Sequence, residues 1–410
     1  MPKKILIISY TFPPSNKIGG RRWVKFAKYF VKDGLDVQVI TSKNIPENGW
    51  MKDLEYIKSN IHEISFKYPF YLGINPKSLG QKIMYRLHLI WSKINTNLNY
   101  YDKSVHGESE LTKCAISYIN KGYNNIVVTV APFHLATHIS KIVSKYPECN
   151  FIVDYRDPWI DNKTSYGYDL LSESRKLNEQ KAEEKVVNSF NHVVTVSSKI
   201  TNDLKERYFN IDADFHTIPN GYDTDDISNS LVSLNKDDKI RLVFSGTLYK
   251  ESEKYFNLLL SWLSDIKSHN IQLFNKIVVN IYGFSNITNT SLENVYFNGL
   301  VSNAQINNEI QKSDGCLLFL SDDINYSFST KFCEYISYEK PIIVFSNDGY
   351  TSKYIVENKI GHSLSFKNNF NDFSKILNSI KDNELNYYSS FSKDSFDLTY
   401  LSQKYLELFK

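Results

Sequence analysis

The chain has 410 residues, 42% of them hydrophobic and 23% charged, and a formal net charge of +3. That length is more than one compact core usually serves and the composition is that of an ordinary soluble protein, so two domains are expected. So mild a charge gives no argument for a nucleic-acid binder, where a concentrated basic stripe is expected, and the lack of any apolar run of about 18 residues excludes a bilayer-spanning helix.

The N-terminus passes from Pro2-Lys3-Lys4 into Lys4 to Ser9 (KILIIS), a β-branched apolar run of the kind that forms a buried parallel strand. No secretory leader pattern precedes it. After a Pro- and Gly-containing loop, Trp23, Phe26, Ala27, Phe30 and Val31 recur at helical spacing, and Gly34 marks the stop. Val37–Thr41, Ile126–Val130, Phe151–Asp154 and Val193–Ser197 read as further strands with helical stretches between them, which implies a parallel sheet covered on both faces. Cys114, Cys149, Cys316 and Cys333 have neither CxxC nor Cys/His metal spacing and are expected to be reduced, as in a cytosol.

The pattern then restarts. Ile218-Pro219-Asn220-Gly221 and on to about Asp238 is polar and turn-rich, the mark of a linker. Ile240–Ser245, Lys276–Tyr282, Cys316–Leu320 and Pro341–Phe345 read as buried strands, and Ser302 with Gln305 makes a capping box for the helix before Cys316. The expected division is 1–222, 236–386 and a C-terminal helix within 387–410 that packs back on the first domain.

Two loops have the chemistry to hold a diphosphate. Thr11 to Arg22 lies beyond a strand's carboxyl end, where open α/β sheets bind ligands. Gly19 and Gly20 let backbone approach an anion at a helix N-terminus, and Arg22 adds charge. A plain strand–helix turn with exposed arginines is the alternative. The loop has no GxGxxG, which counts against a dinucleotide enzyme. In the second loop Ser329 or Thr330 suits an N-cap, Lys331 supplies a cation, and Glu334 projects from the same face one turn on. An ordinary Lys–Glu surface pair would show the same spacing.

In order and spacing, KILIISYTFPP…GGRR, DYRDPW (Asp154 to Trp159), VVTVSSKI (Val193 to Ile200), IPNGYD (Ile218 to Asp223), FSGTLY (Phe244 to Tyr249), NVYFNGLVSNAQI (Asn294 to Ile306) and STKFCEYISYEKPII (Ser329 to Ile343) resemble glycosyltransferases of the GT-B fold, family 4 in particular. DYRDPW and SGTLY resemble a branch found among bacterial polysaccharide-assembly enzymes. The resemblance implies an α/β chain of two Rossmann-like domains facing across a cleft, the first for the acceptor and the second for a nucleotide-diphosphate sugar. It puts Gly19 and Gly20 against the donor diphosphate, Lys331 on the phosphates, Glu334 on the ribose, and the backbone of Leu300 and Val301 on the base. Gly246 and Thr247 close the strand facing the phosphates, and His134 faces the transferred sugar. Two departures stand out. Tyr326 occupies the place of a second glutamate, and Thr247 that of an arginine, whose charge Lys250 or Lys254 would have to supply.

Without a metal, the leaving diphosphate is stabilised by helix N-termini, backbone N–H groups and basic side chains. The resemblance implies retention of configuration with no placed nucleophile, so none is named, and neither cofactor nor metal is expected. Taken alone, His134 reads as a satisfied histidine at a strand end. Asp157 either binds sugar or acceptor, or pairs with Arg156 to shape the loop before Pro158. Asp212-Ala213-Asp214 has DxD form but falls in a polar turn, and Asp322-Asp323 reads as solvated carboxylates. Leu79, Ile83, Leu87, Ile90 and Ile94 recur at helical spacing with Trp91 and with Lys82, Arg86 and Lys93 on other faces. This stripe within 79–95 reads as core packing, or as a basic amphipathic helix at a membrane interface.

The resulting expectation is a cytoplasmic hexosyltransferase, at the inner face of the membrane if 79–95 docks there. It would act on a glycan or lipid-linked acceptor for lipopolysaccharide, O-antigen or capsule. A nucleotide-sugar 2-epimerase or hydrolase on the same fold, or a non-catalytic nucleotide-sugar-binding subunit, are the alternatives.

Overall fold

The computed structural model describes residues 2–15, 17–43, 51–73, 76–160, 162, 166–227, 237–287, 289–324, 326–382 and 386–410. They fall into two compact units, residues 1–219 with 401–410, and residues 220–400. Residues 228–236 of the expected linker lie outside the described residues.

The first unit is built on seven strands: β1 (Lys4–Ser9), β2 (Asp36–Ser42), β3 (Ile61–Ile64), β4 (Asn125–Val130), β5 (Asn150–Tyr155), β6 (His192–Thr195) and β7 (Asp214–Thr217). They pair in parallel in the order β3-β2-β1-β4-β5-β6-β7. Every residue of β4 and β5 is buried, as helices on both faces of a parallel sheet require. The helix Arg21–Lys32 ends where Gly34 turns at φ +81° while Leu35 N–H donates to Phe30 O at 3.0 Å. A residue with a Cβ adopts that backbone only under strain.

The second unit has six strands: β8 (Ile240–Ser245), β9 (Ile277–Tyr282), β10 (Val295–Gly299), β11 (Gly315–Phe319), β12 (Ile342–Phe345) and β13 (Gly361–Leu364). Their order is β10-β9-β8-β11-β12-β13, again parallel. Alternate residues feed two cores: Leu242 and Phe244 join the cluster around Leu259, Trp262 and Phe373, and Val243 joins that around Ile310, Phe332 and Ile355. Each such side chain, taken fully out of water, contributes about 1.5–3 kcal/mol.

The four strands that the sequence reading passes over, β3, β7, β10 and β13, are the four edge strands. Their sequences IHEI, DFHT, VYFNG and GHSL carry polar residues on a side that central strands bury, so the apolar run that marks a central strand is missing. Asp214 therefore opens β7 and is not part of a turn.

A second correction concerns the helix Leu79–Asn95, capped by the Ser78/Gln81 box. Its apolar stripe is not core: Leu79 is 76% and Ile94 78% exposed, and Ile83, Leu87, Ile90 and Trp91 are exposed as well.

The end of the C-terminal helix Leu398–Leu408 belongs to the first unit. Tyr405 and Phe409 there pack edge-on against Phe30, and Lys3 Nζ donates to Phe409 O at 2.8 Å.

Candidate functional site

In both sheets the connections diverge from a pair of central strands, β1/β4 in the first unit and β8/β11 in the second. The loops beyond the carboxyl ends of such a pair form the crevice where this architecture takes ligands. Most of the expected site residues lie on those loops or near the starts of the helices that follow them, while Asp157 follows β5 and Leu300 and Val301 follow β10.

In the first unit the loop after β1 folds back tightly. A Cβ on Gly20 would stand 3.2 Å from Phe12 Cα and from Thr11 O, and one on Gly19 would stand 2.4 Å from Arg156 Nη1. Arg156 thus lies over Gly19, and its Nε and Nη2 each donate to Asp157 Oδ2 at 3.1 Å. Asp157 and Arg156 are the ion pair that their adjacency allowed. The guanidinium on Gly19 is a feature of the crevice that the sequence did not reveal, because only the fold brings the ends of β1 and β5 together.

Arg22 differs from its expected place. It is buried, with Nε on Asp154 Oδ2 at 3.0 Å, Nη2 on Asp154 Oδ1 at 3.2 Å and on Ile218 O at 2.8 Å, and Nη1 on Pro219 O at 2.8 Å. Nη2 also reaches Tyr405 Oη at 3.0 Å. Burial alone would lower its pKa, but the charges of Asp154 and Tyr405 and the hydrogen bonds to them together outweigh this and raise it. Asp154 also accepts from Trp23 Nε1 at 2.8 Å and Tyr405 Oη at 2.9 Å. The guanidinium joins the first helix, β5, the end of the unit and the C-terminal helix, and is directed at protein acceptors rather than at a phosphate.

His134 begins the helix that follows β4 and has no exposed surface. Its Nδ1 is 3.1 Å from Thr137 Oγ1 and its Nε2 3.2 Å from Glu179 Oε1. Burial would lower its pKa; Glu179 and then Asp102 reverse this and raise it. Glu179 is pushed up by burial and pulled further down by His134, for a lowered net value; it also accepts from Trp159 Nε1 and Asn99 N, each at 2.7 Å. Asp102 Oδ2 accepts from Phe133 N at 2.6 Å. Glu179 and Asp102 hold the turn after β4, and neither stands in a motif that sequence reading could use.

In the second unit Gly246 and Gly283, at the ends of β8 and β9, have φ +147° and +112°. A Cβ on Gly283 would stand 2.0 Å from Gly246 O, so these two turns need glycine for their close approach. Over Gly246 runs the Lys331 side chain, whose Cε would be 3.4 Å from a Cβ there. Lys331 comes from the helix Thr330–Ser337, which Ser329 caps by accepting from Phe332 N at 3.1 Å. One face of that helix is fixed by buried Phe332 and by Tyr335, whose Oη accepts from Ser245 N at 2.9 Å. The other presents Lys331 and Glu334, 32% and 26% exposed, with Nζ 2.9 Å from Oε2. Leu300 is 82% exposed and Val301 half-buried, just after Gly299. Thr247 and Lys250 are exposed beyond β8. Lys254, the other candidate cation, is paired with Asp322, which also accepts from Tyr255 Oη at 2.6 Å and Asn347 Nδ2 at 3.1 Å. Burial raises the Asp322 pKa, and the bonds from Lys254 and Tyr255 bring it below its usual value.

The second unit thus brings together a capped helix start, an ammonium, a carboxylate one turn on and two glycine turns, and it leaves Lys250 open to solvent. Such a set can bind an anion and a vicinal diol side by side.

No protein-family model and no curated sequence matches this chain at a significant level. Solved structures do. Sucrose-phosphate synthase from Thermosynechococcus elongatus is 11% identical with a TM-score of 0.61, covering 99% of this chain and 98% of its own. The lipopolysaccharide outer core galactosyltransferase WaaB is 13% identical with a TM-score of 0.56, covering 99% and 98%. A protein from Listeria monocytogenes described as a UDP-N-acetylglucosamine 2-epimerase is 9% identical with a TM-score of 0.55, covering 99% and 95%. At such identities the likeness is one of fold, and with the two parallel sheets it establishes that this chain has the two-unit, Rossmann-like GT-B fold.

Proposed function

We propose that the chain is a glycosyltransferase that binds a nucleotide-diphosphate sugar on its second unit and transfers the sugar with retention, without a metal. One observation carries the reading: Lys331 and Glu334 share the open face of the helix Thr330–Ser337, with the Lys331 stem across the Gly246 turn. The helix start with Ser329 and Thr330, Lys331 and Lys250 would take the diphosphate. Glu334 would accept from the ribose hydroxyls, and Leu300 and Val301 would meet the base. Gly246 and Thr247 leave room for the phosphates. As the diphosphate leaves, its growing charge is met by N–H groups and ammonium groups already in place.

On the first unit we assign Gly19 and Gly20 to anion-binding backbone and Asp157 to contact with sugar or acceptor. His134, enclosed with Glu179, is assigned to positioning the turn after β4. Arg22 is reassigned to holding the unit together. The exposed stripe of Leu79–Asn95, flanked by Lys82, Arg86 and Lys93, supports a place at an anionic membrane surface. That suits a lipid-linked glycan acceptor at the inner face of a bacterial membrane, and a role in lipopolysaccharide or capsule assembly. The Listeria likeness favours one second reading, epimerisation of a nucleotide sugar with no acceptor.

Calorimetric titration with UDP, GDP, ADP and CMP, in EDTA, tests the donor site. One nucleoside diphosphate should bind, and Glu334→Ala should weaken it; no binding by any of them overturns the reading. Incubating the matching nucleotide sugar without acceptor separates transfer from epimerisation.

A further inference from the structure

The first unit holds a cluster far from the loops just described. His192 opens β6, Asp214 opens β7, and the two stand opposite each other in the parallel register. His216 is two residues beyond Asp214, so it points to the same face of the sheet. The three side chains converge. His192 Nδ1 is 2.7 Å and His216 Nε2 is 2.9 Å from Asp214 Oδ2, and the two ring nitrogens are 3.3 Å apart. No other group among the described residues bonds to these three atoms.

We propose that His192, Asp214 and His216 are a three-ligand site for a zinc-class divalent ion at the amino ends of β6 and β7. Ligands about 2.0–2.1 Å from a tetrahedral zinc lie about 3.3 Å from one another. The nitrogen pair already has that spacing, and Asp214, on an exposed side chain, needs to move back by only about half an ångström. Two imidazoles and one carboxylate select zinc, nickel or copper over magnesium and calcium, which prefer all-oxygen shells. A fourth position is left for water. The side chains come from two paired strands: among the described residues β7 is the edge of the sheet and pairs with β6 alone. An ion there would pin the last strand before the unit ends at Pro219. It sits at the amino ends of β6 and β7, about 10 Å from their carboxyl ends, the side of the sheet on which the loops after β1, β4 and β5 lie. The proposed ion site is therefore separate from the loops assigned to the proposed transfer.

Titrating the untagged, EDTA-treated full chain with zinc chloride, with magnesium chloride as control, tests this. One zinc per chain should bind and raise Tm, magnesium should not, and cobalt should give the visible absorption of a tetrahedral site. His192→Gln, His216→Gln and Asp214→Asn should each weaken zinc at least about tenfold, the loss typical even of supporting residues, and abolish the Tm rise. Asp214→Asn is isosteric and exposed, so it is the variant least able to disturb folding. Nucleotide binding should be unchanged in all three, which keeps this result apart from that of the donor site. No saturable zinc binding, or zinc affinity unchanged in any one of the three variants, overturns the proposal.

Discussion

Arg22 and Lys331 occupy the same kind of position, each the second residue of a helix that follows a strand-end loop in its own unit. In sequence both read as cations waiting for a phosphate. In the structure Arg22 is closed in by Asp154, two carbonyls and Tyr405, while Lys331 is a third exposed and touches a carboxylate one turn on. The difference follows from what lies behind each helix. The first has Asp154, with no exposed surface, at the end of β5, and a buried carboxylate must be matched or its desolvation is left uncompensated. The second has an aromatic core behind it, with Phe332 and Tyr335 taking the inner face, so its charged residues stay outside.

Removing each cation should therefore damage a different property. Arg22→Ala leaves Asp154 buried and unmatched and should cost about 3–5 kcal/mol in unfolding free energy. Arg22→Lys should recover little of it, since a point charge cannot reproduce the guanidinium fork. Urea unfolding reads both, and the nucleotide affinity of the folded fraction should hold. A normal unfolding midpoint in Arg22→Ala would break the comparison at its root.

The same contrast between matched and unmatched burial separates two histidines one helical turn apart. Burial depresses His138 to about 4, against the opposing effect of the hydrogen bond from Nε2 to Ser104 O at 2.9 Å. For His134 burial acts the same way, but Glu179 and Asp102 raise it. A histidine depressed on folding contributes stability above its free value of about 6.5 and loses it as pH falls. A raised one contributes below that value and loses it as pH rises. The unfolding midpoint should accordingly fall between pH 6.5 and about 4, and the fall should be shallower in His138→Gln. An acid limb with the same slope in both proteins would remove His138 from the account.

These cases show what a sequence can and cannot carry. The central strands were legible because a strand buried on both faces must be apolar throughout: KILIIS and NIVVTV announce themselves. The edge strand DFHT does not, for its outer side is free to be polar, and with β7 the His192–Asp214–His216 cluster was hidden too. Lys331 and Glu334 were legible as a pair because three residues on a helix share a face. Arg22 was misread because its partners are 132, 196 and 197 residues away, and no local pattern signals that a cation is already matched.

On the second unit, effects should appear in binding and not in stability. Lys331 and Glu334 form a half-exposed pair, worth at most about 1 kcal/mol to the fold. Glu334→Ala should leave Tm nearly unchanged. A hydrogen bond from ligand to a charged group contributes about 1.5–3 kcal/mol, so nucleoside diphosphate affinity should fall roughly 10–100-fold by calorimetry. A variant that unfolds early and binds normally would reverse the assignment of the two units.

The smallest effect distinguishes Lys250 from Lys254, the two residues able to replace the charge absent at Thr247. Lys254 is tied to Asp322, whose other bonds come from Tyr255 and Asn347. Lys254→Ala should cost under about 1 kcal/mol in stability, as surface pairs do, and leave diphosphate binding alone. Lys250, exposed at the start of the short turn after β8, has no such tie among the described residues. Lys250→Ala should leave unfolding unchanged and weaken diphosphate more than monophosphate, by roughly a few-fold at low salt, with the difference fading as salt screens an exposed charge. If Lys254→Ala carries that salt-dependent loss instead, the Asp322 pair opens when the ligand binds, and a cation matched in the free protein is released for use. That outcome would place Lys254 between the permanently enclosed Arg22 and the open Lys331.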